Sequence, residues 1–149
     1  MNPNEAATAL DGVDRTQRKL AQHAHWPFHR HAMFGLGEGL LIAAIAQPIS
    51  IGASMMVVAV ALFGVCMWDD RRRHGMFVSG FQPGKTRWLT ALLVLFVAAM
   101  GAASLIIRDG VEAQPLGFLA GLVTFAVCTA ASLQWQKIYR SELERGGRP

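Results

Sequence analysis

The stretch FHRHAMFGLGEGLLIAAIAQPISIGASMMVVAVALFGVCMW, residues 28–68, is two long apolar runs joined at Gln47-Pro48. A helix rises about 1.5 Å per residue, so roughly 20 apolar residues cross about 30 Å of hydrocarbon. Residues 28–47 and 49–68 both meet that length, and the proline between them predicts a tight turn and an antiparallel hairpin. Working outward, two further runs of the same length follow at 88–107 and 116–135. The predicted fold is all-α: a polytopic membrane protein built as a four-transmembrane-helix bundle.

Composition agrees with that reading. Hydrophobic residues make up 52% of the chain and charged residues 16%, which would leave a soluble domain of this size with too much apolar surface. The charges are also sorted. Arg15, Arg18, Lys19 and Arg30 lie ahead of the first span or at its start. Arg71, Arg72, Arg73, Lys85 and Arg87 lie in the middle connection, and Lys137, Arg140, Arg145 and Arg148 in the tail. Thirteen of the 14 Lys and Arg thus fall on one side, leaving Arg108 on the other. Cytoplasmic loops carry the excess of Lys and Arg, so both termini are expected in the cytoplasm. The compact loops point to a bacterial inner (plasma) membrane. The chain divides into a polar cytoplasmic arm at 1–26, a transmembrane domain at 27–136 containing the cytoplasmic loop 69–87, and a cytoplasmic tail at 137–149.

The same orientation rule explains the pI of about 9.7, since basic loops beside a bilayer attract anionic headgroups. No nucleic-acid-binding motif or aromatic-interleaved basic surface accompanies the charge, so the expected partner is the lipid bilayer and not nucleic acid. The first 25 residues are polar and lack a continuous apolar core, so the first span is expected to act as its own insertion signal. Cys66 and Cys128 fall in apolar helix at different depths, which predicts free buried thiols. Within the arm, Ala6, Leu10, Val13, Leu20 and Ala24 form a weak apolar stripe opposite Arg15, Arg18 and Lys19. Either a short helix on the headgroups or a disordered arm fits that pattern. Trp26, Trp68, Trp88 and Trp135 all fall at the basic ends of the spans, as an interfacial belt would.

Small residues recur at one-turn spacing. Gly35, Gly39 and Ala43 share a face of the first span, and Gly117 and Gly121 share a face of the fourth. In lipid, close backbone approach replaces the hydrophobic effect as the means of helix association, so these faces are expected to pack. The loop 69–87 exceeds the length at which unstructured connections are common. Its Arg71, Arg72, Arg73, Phe77, Phe81 and Lys85 offer a basic and aromatic surface for docking a partner or headgroups. No internal repeat supports an inverted-repeat transporter.

Glu38 is the sharpest site candidate. It lies seven residues past His31, about 10 Å further along a continuous helix and on the same face. A carboxylate in mid-span costs several kcal/mol, so such residues face an interior, pair with something or take up a proton. Gly35, Gly37 and Gly39 leave room beside it for a backbone, an ion or water, and His31 is placed to extend a proton path. The structural alternative is a hydrogen bond to Thr124, Ser132 or Gln134 of the fourth span. Small multidrug exporters share four spans and a first-span carboxylate. Their chains are shorter and those inserting both ways lack a strong charge bias, so this chain is not assigned to them.

Other motifs carry less. His23, His25, His29 and His31 invite a metal reading centred on His25 and His29, but neighbours spaced by two fall on different helix faces and no cysteine or carboxylate completes a pattern. Gly80 to Thr86 is one residue short of a phosphate-binding loop and precedes a membrane helix. Asp69-Asp70 beside Arg71–Arg73 reads as self-neutralising charge at a helix end. No constellation for nucleophilic catalysis is present, and no cofactor is indicated. The leading expectation is a non-enzymatic accessory or assembly subunit of a membrane complex, or a small homo-oligomer. The first alternative is a proton- or ion-coupled small transporter or channel using Glu38. The second is a metal-dependent membrane enzyme using the His23–His31 cluster.

Overall fold

The computed structural model describes residues 2, 8, 12, 25–74, 84–110 and 113–144. From residue 25 onward these form four helices: α1 (Phe28–Ile45), α2 (Ile49–His74), α3 (Lys85–Ile107) and α4 (Ala113–Glu144). Three of them, at Ile49–Arg72, Lys85–Ile107 and Ala113–Glu144, are long and apolar enough to cross a membrane. α1 has 18 residues and carries His29, Arg30, His31 and Glu38, so it does not reach the same apolarity. The structure therefore shows an all-helical chain with three membrane-spanning candidates grouped round a fourth, more polar helix.

α2 and α4 continue beyond the apolar runs read from sequence, to His74 and Glu144. Hydropathy marks where the lipid-compatible surface ends. The backbone hydrogen-bond ladder continues through the polar residues that follow. At the other end, α1 stops at Ile45, and the turn is closed by Ala46 N–H to Ala43 O (3.3 Å) and Gln47 N–H to Ala44 O (3.2 Å). Pro115 falls in the first turn of α4, where its missing N–H has no helical partner to lose. The Gln47 amide donates to Gln114 O at 3.1 Å and ties the α1–α2 turn to the first turn of α4.

α1 is the hub. It packs most extensively on α4, then on α2, and touches α3; α3 packs on α4, while α2 and α3 share no substantial interface among the described residues. The side-chain distribution is inverted relative to a water-soluble bundle. Val57, Val60, Leu92, Leu95, Ile106, Leu119 and Leu122 point outward, while the interior holds Ala43, Ala59, Thr124, Cys128, Ser104 and His31. With no water to expel between helices in lipid, small residues that allow close backbone approach hold such a bundle together.

The closest approach is between α1 and α4. A Cβ on Gly39 would lie 2.6 Å from Gly121 O, and one on Gly121 would lie 2.6 Å from Gly39 O and 2.7 Å from Ala43 Cβ. A Cβ on Gly35 would collide with Thr129 Oγ1, and one on Gly117 with Ala46 Cβ. Gly37 instead faces α2, where the Phe63 ring would sit 2.8 Å from an added Cβ.

Candidate functional site

Because α2 and α3 stand apart, a groove of about 440 Å³ opens between them. α2 contributes Phe63, Cys66 and Met67 to one wall, and α3 contributes Leu89, Thr90 and Leu93 to the other. α1 and α4 form the floor, with Phe34 and Glu38 from the first and Ala131, Ser132 and Trp135 from the second. The volume lies within the roughly 300–1,000 Å³ usual for small-molecule sites, and the lining follows their pattern of apolar walls with few polar groups. Phe34 and Phe63 meet edge to face across α1 and α2, with ring centroids 6.0 Å apart.

Glu38 is half-buried on the floor of this groove. Among the described residues it makes neither a hydrogen bond nor an ion pair. The three partners considered from sequence are placed elsewhere. Thr124 donates to Ala120 O of its own helix (2.8 Å), Ser132 meets His31 (2.8 Å), and Gln134 is exposed.

The groove lining also includes an ion pair. Arg30 Nε donates to Asp70 Oδ1 at 3.1 Å and Arg30 Nη2 to Asp70 Oδ2 at 2.6 Å, a two-pronged contact between α1 and α2. This corrects the reading of Asp70 as neutralised by its own neighbours, since its partner comes from the facing helix. Arg71 and Arg72 are exposed, and the Arg72 guanidinium lies 3.7 Å from the Trp68 ring centroid.

Beside the groove, His31 is fully buried in a polar network with α4. Trp26 N–H donates to Gln136 Oε1 at 3.1 Å, which fixes the amide's orientation. His31 Nε2 lies 2.8 Å from the same oxygen and therefore carries a proton. In the neutral ring, Nδ1 then accepts from the Ser132 hydroxyl at 2.8 Å. Ser132 thus touches His31 on one side and lines the groove on the other. Gln136 was not singled out from sequence, although Ser132 and Gln136, four apart, share a face of α4.

The tryptophans do not form a single outward belt. Trp68 and Trp88 are 55% and 67% exposed, whereas Trp26 is buried against Trp135 and Tyr139, with ring centroids 6.1 and 6.2 Å away. Cys66 and Cys128 are free and buried. His25 and His29 are exposed, and among the described residues no three His, Cys, Asp or Glu gather as a metal site requires. Of the proposed docking residues, Lys85 is exposed at the start of α3, while Phe77 and Phe81 and the Arg73 side chain lie outside the described residues, as do His23 and the arm's apolar stripe. A second residue missed from sequence is Glu142, whose Oε1 accepts the Lys85 N–H at 2.6 Å and so caps α3 from α4.

Compared with protein-family models, curated proteins and solved structures, the chain matches none.

Proposed function

We propose that the chain is a small proton- or ion-coupled membrane transporter in which Glu38 is the binding and titrating group. In this reading α1 is a fourth span, sheltered from lipid by the other three. Both termini lie on the cytoplasmic side of a bacterial inner membrane in this reading, which the charge bias supports. The observation that carries the proposal is the position of Glu38: a half-buried carboxylate on the floor of an apolar groove, without a protein partner among the described residues. Ionisable groups in that setting mark ion and substrate pathways. Ser132 and His31 extend polar contact from the groove toward Gln136 and the basic end of the bundle.

The test is flux into proteoliposomes under an imposed pH gradient and membrane potential, with Na⁺, K⁺ and organic cations supplied in turn. Wild type is expected to move protons faster than empty liposomes with at least one of these, and Glu38→Gln to fall to the empty-liposome level while its melting temperature holds. No flux that depends on Glu38 under any condition would overturn the reading.

The second reading keeps the chain as a non-enzymatic accessory or assembly subunit, or a small homo-oligomer. It is favoured by the large apolar residues exposed on α2 and α3, such as Trp68, Trp88 and Leu92, which a neighbouring helix would cover. Native mass spectrometry of gently extracted protein separates the two. A stoichiometric second protein supports the subunit role, a homo-oligomer without Glu38-dependent flux supports the structural homo-oligomer, and a homo-oligomer with that flux supports transport.

A further inference from the structure

We propose that the groove between α2 and α3 binds a lipophilic organic monocation, an apolar body carrying one positive charge, with Glu38 as its counter-charge. This rests on the reading of Glu38 as a binding carboxylate and adds the chemical class of what it binds.

The sign of the ligand follows from the charges on the groove. Three formally charged side chains line it, Arg30, Asp70 and Glu38, and the Cys66 thiol beside them is neutral when protonated. Arg30 and Asp70 neutralise each other through two hydrogen bonds. Glu38 alone is left without an opposite charge, so an ionised Glu38 gives the groove one uncompensated negative charge.

The ligand's polarity follows from what else surrounds that charge. A small metal cation replaces its hydration shell with about six oxygens. Around Glu38 the groove has few to give. Beside the Glu38 carboxylate and the Arg30-bound Asp70, the lining side chains add the Ser132 and Thr90 hydroxyl oxygens, whose protons go to His31 and to Thr86 O (3.1 Å). Aromatic rings are what the lining offers in their place. Phe34 stands one turn before Glu38 on the same helix, Phe63 packs against Phe34, and Trp135 lines the floor. Ring faces attract weakly hydrated organic cations, and most strongly where water is excluded. The remaining walls, Met67, Leu89 and Leu93, suit an apolar body. Access fits as well. The gap lies between two helices that share no substantial interface among the described residues and whose outer residues are large and apolar, so a ligand dissolved in the bilayer enters sideways.

The experiment is equilibrium binding of radiolabelled decyltrimethylammonium to the full chain in nanodiscs, with empty nanodiscs subtracted. 1-Decanol and decyl sulfate serve as the uncharged and anionic counterparts. Saturable binding of the cation alone is expected. Glu38→Gln should weaken it by about tenfold or more, and Phe63→Leu, which keeps apolar volume but removes the ring, by about threefold. Glu38→Asp keeps the charge and is expected to retain binding, which separates loss of the counter-charge from loss of the fold. Equal binding of 1-decanol, or unchanged cation binding in Glu38→Gln, overturns the proposal. So does native mass spectrometry showing a second protein whose association is lost in Glu38→Gln, because the groove then holds a partner helix. Saturable cation binding without any flux upholds the ligand class and removes the transport reading. Flux of Na⁺ or K⁺ with no organic-cation binding removes the ligand class alone.

Discussion

Arg30 and Asp70 meet across 40 positions of sequence, and nothing in their local context announces it. Asp70 sits among arginines of its own helix, so charge pairing reads as local until the facing helix is known. Removing one member of a buried pair leaves an uncompensated charge at a cost of about 3–5 kcal/mol. Here the side chains are 23% and 11% exposed, so screening reduces the effect. Asp70→Asn is expected to destabilise by roughly 1–3 kcal/mol. The Arg30→Gln/Asp70→Asn double variant should cost less than the sum of the singles, read from thermal unfolding in nanodiscs followed by tryptophan fluorescence. Additive losses would mean the pair contributes nothing as a pair. The His31 network has the same character. His31 was legible as a polar residue entering a span, but its partners come from positions 132 and 136.

At the level of helices, the glycines separate into those that a neighbouring backbone needs and those that face open space. Gly35, Gly39 and Gly121 have no room for a methyl group because α1 and α4 touch there. Gly64 on α2 has nothing within 4 Å. Gly35→Ala, Gly39→Ala and Gly121→Ala are each expected to lose about 1–3 kcal/mol through overpacking. Gly64→Ala should be neutral, or gain up to about 1 kcal/mol from helix propensity. Melting temperatures of the four variants in one lipid check this, and a Gly39→Ala protein as stable as wild type would contradict the close α1–α4 contact. One-turn spacing made the packing faces readable in sequence, since i and i+4 share a helix side. It did not reveal that the first and fourth helices form the tightest pair, because spacing within a helix carries no information about its neighbour.

For the whole molecule, the interior is small and polar and the exterior large and aliphatic, the arrangement expected when the surrounding solvent is lipid. The threading proposed from the charge bias is open to direct measurement. In a background lacking Cys66 and Cys128, Asp109→Cys should react with a membrane-impermeant maleimide on intact cells. Lys137→Cys should react only after permeabilisation, and the reverse pattern would invert the proposed orientation.

That four helices follow residue 25, three of them apolar enough to cross a membrane, and that a carboxylate interrupts the first were legible in the sequence alone, because hydropathy and helical rise are local properties. Where the helices end was less legible, since the hydrogen-bond ladder of α2 and α4 outlasts the apolar surface. The site itself was decided by tertiary structure. A groove exists because α2 and α3 share no substantial interface among the described residues. Among the described residues Glu38 has no hydrogen-bond partner there, because the Thr124 and Ser132 hydroxyls donate to Ala120 O and to His31. Both are consequences of which helices pack together, a long-range property that no local pattern encodes.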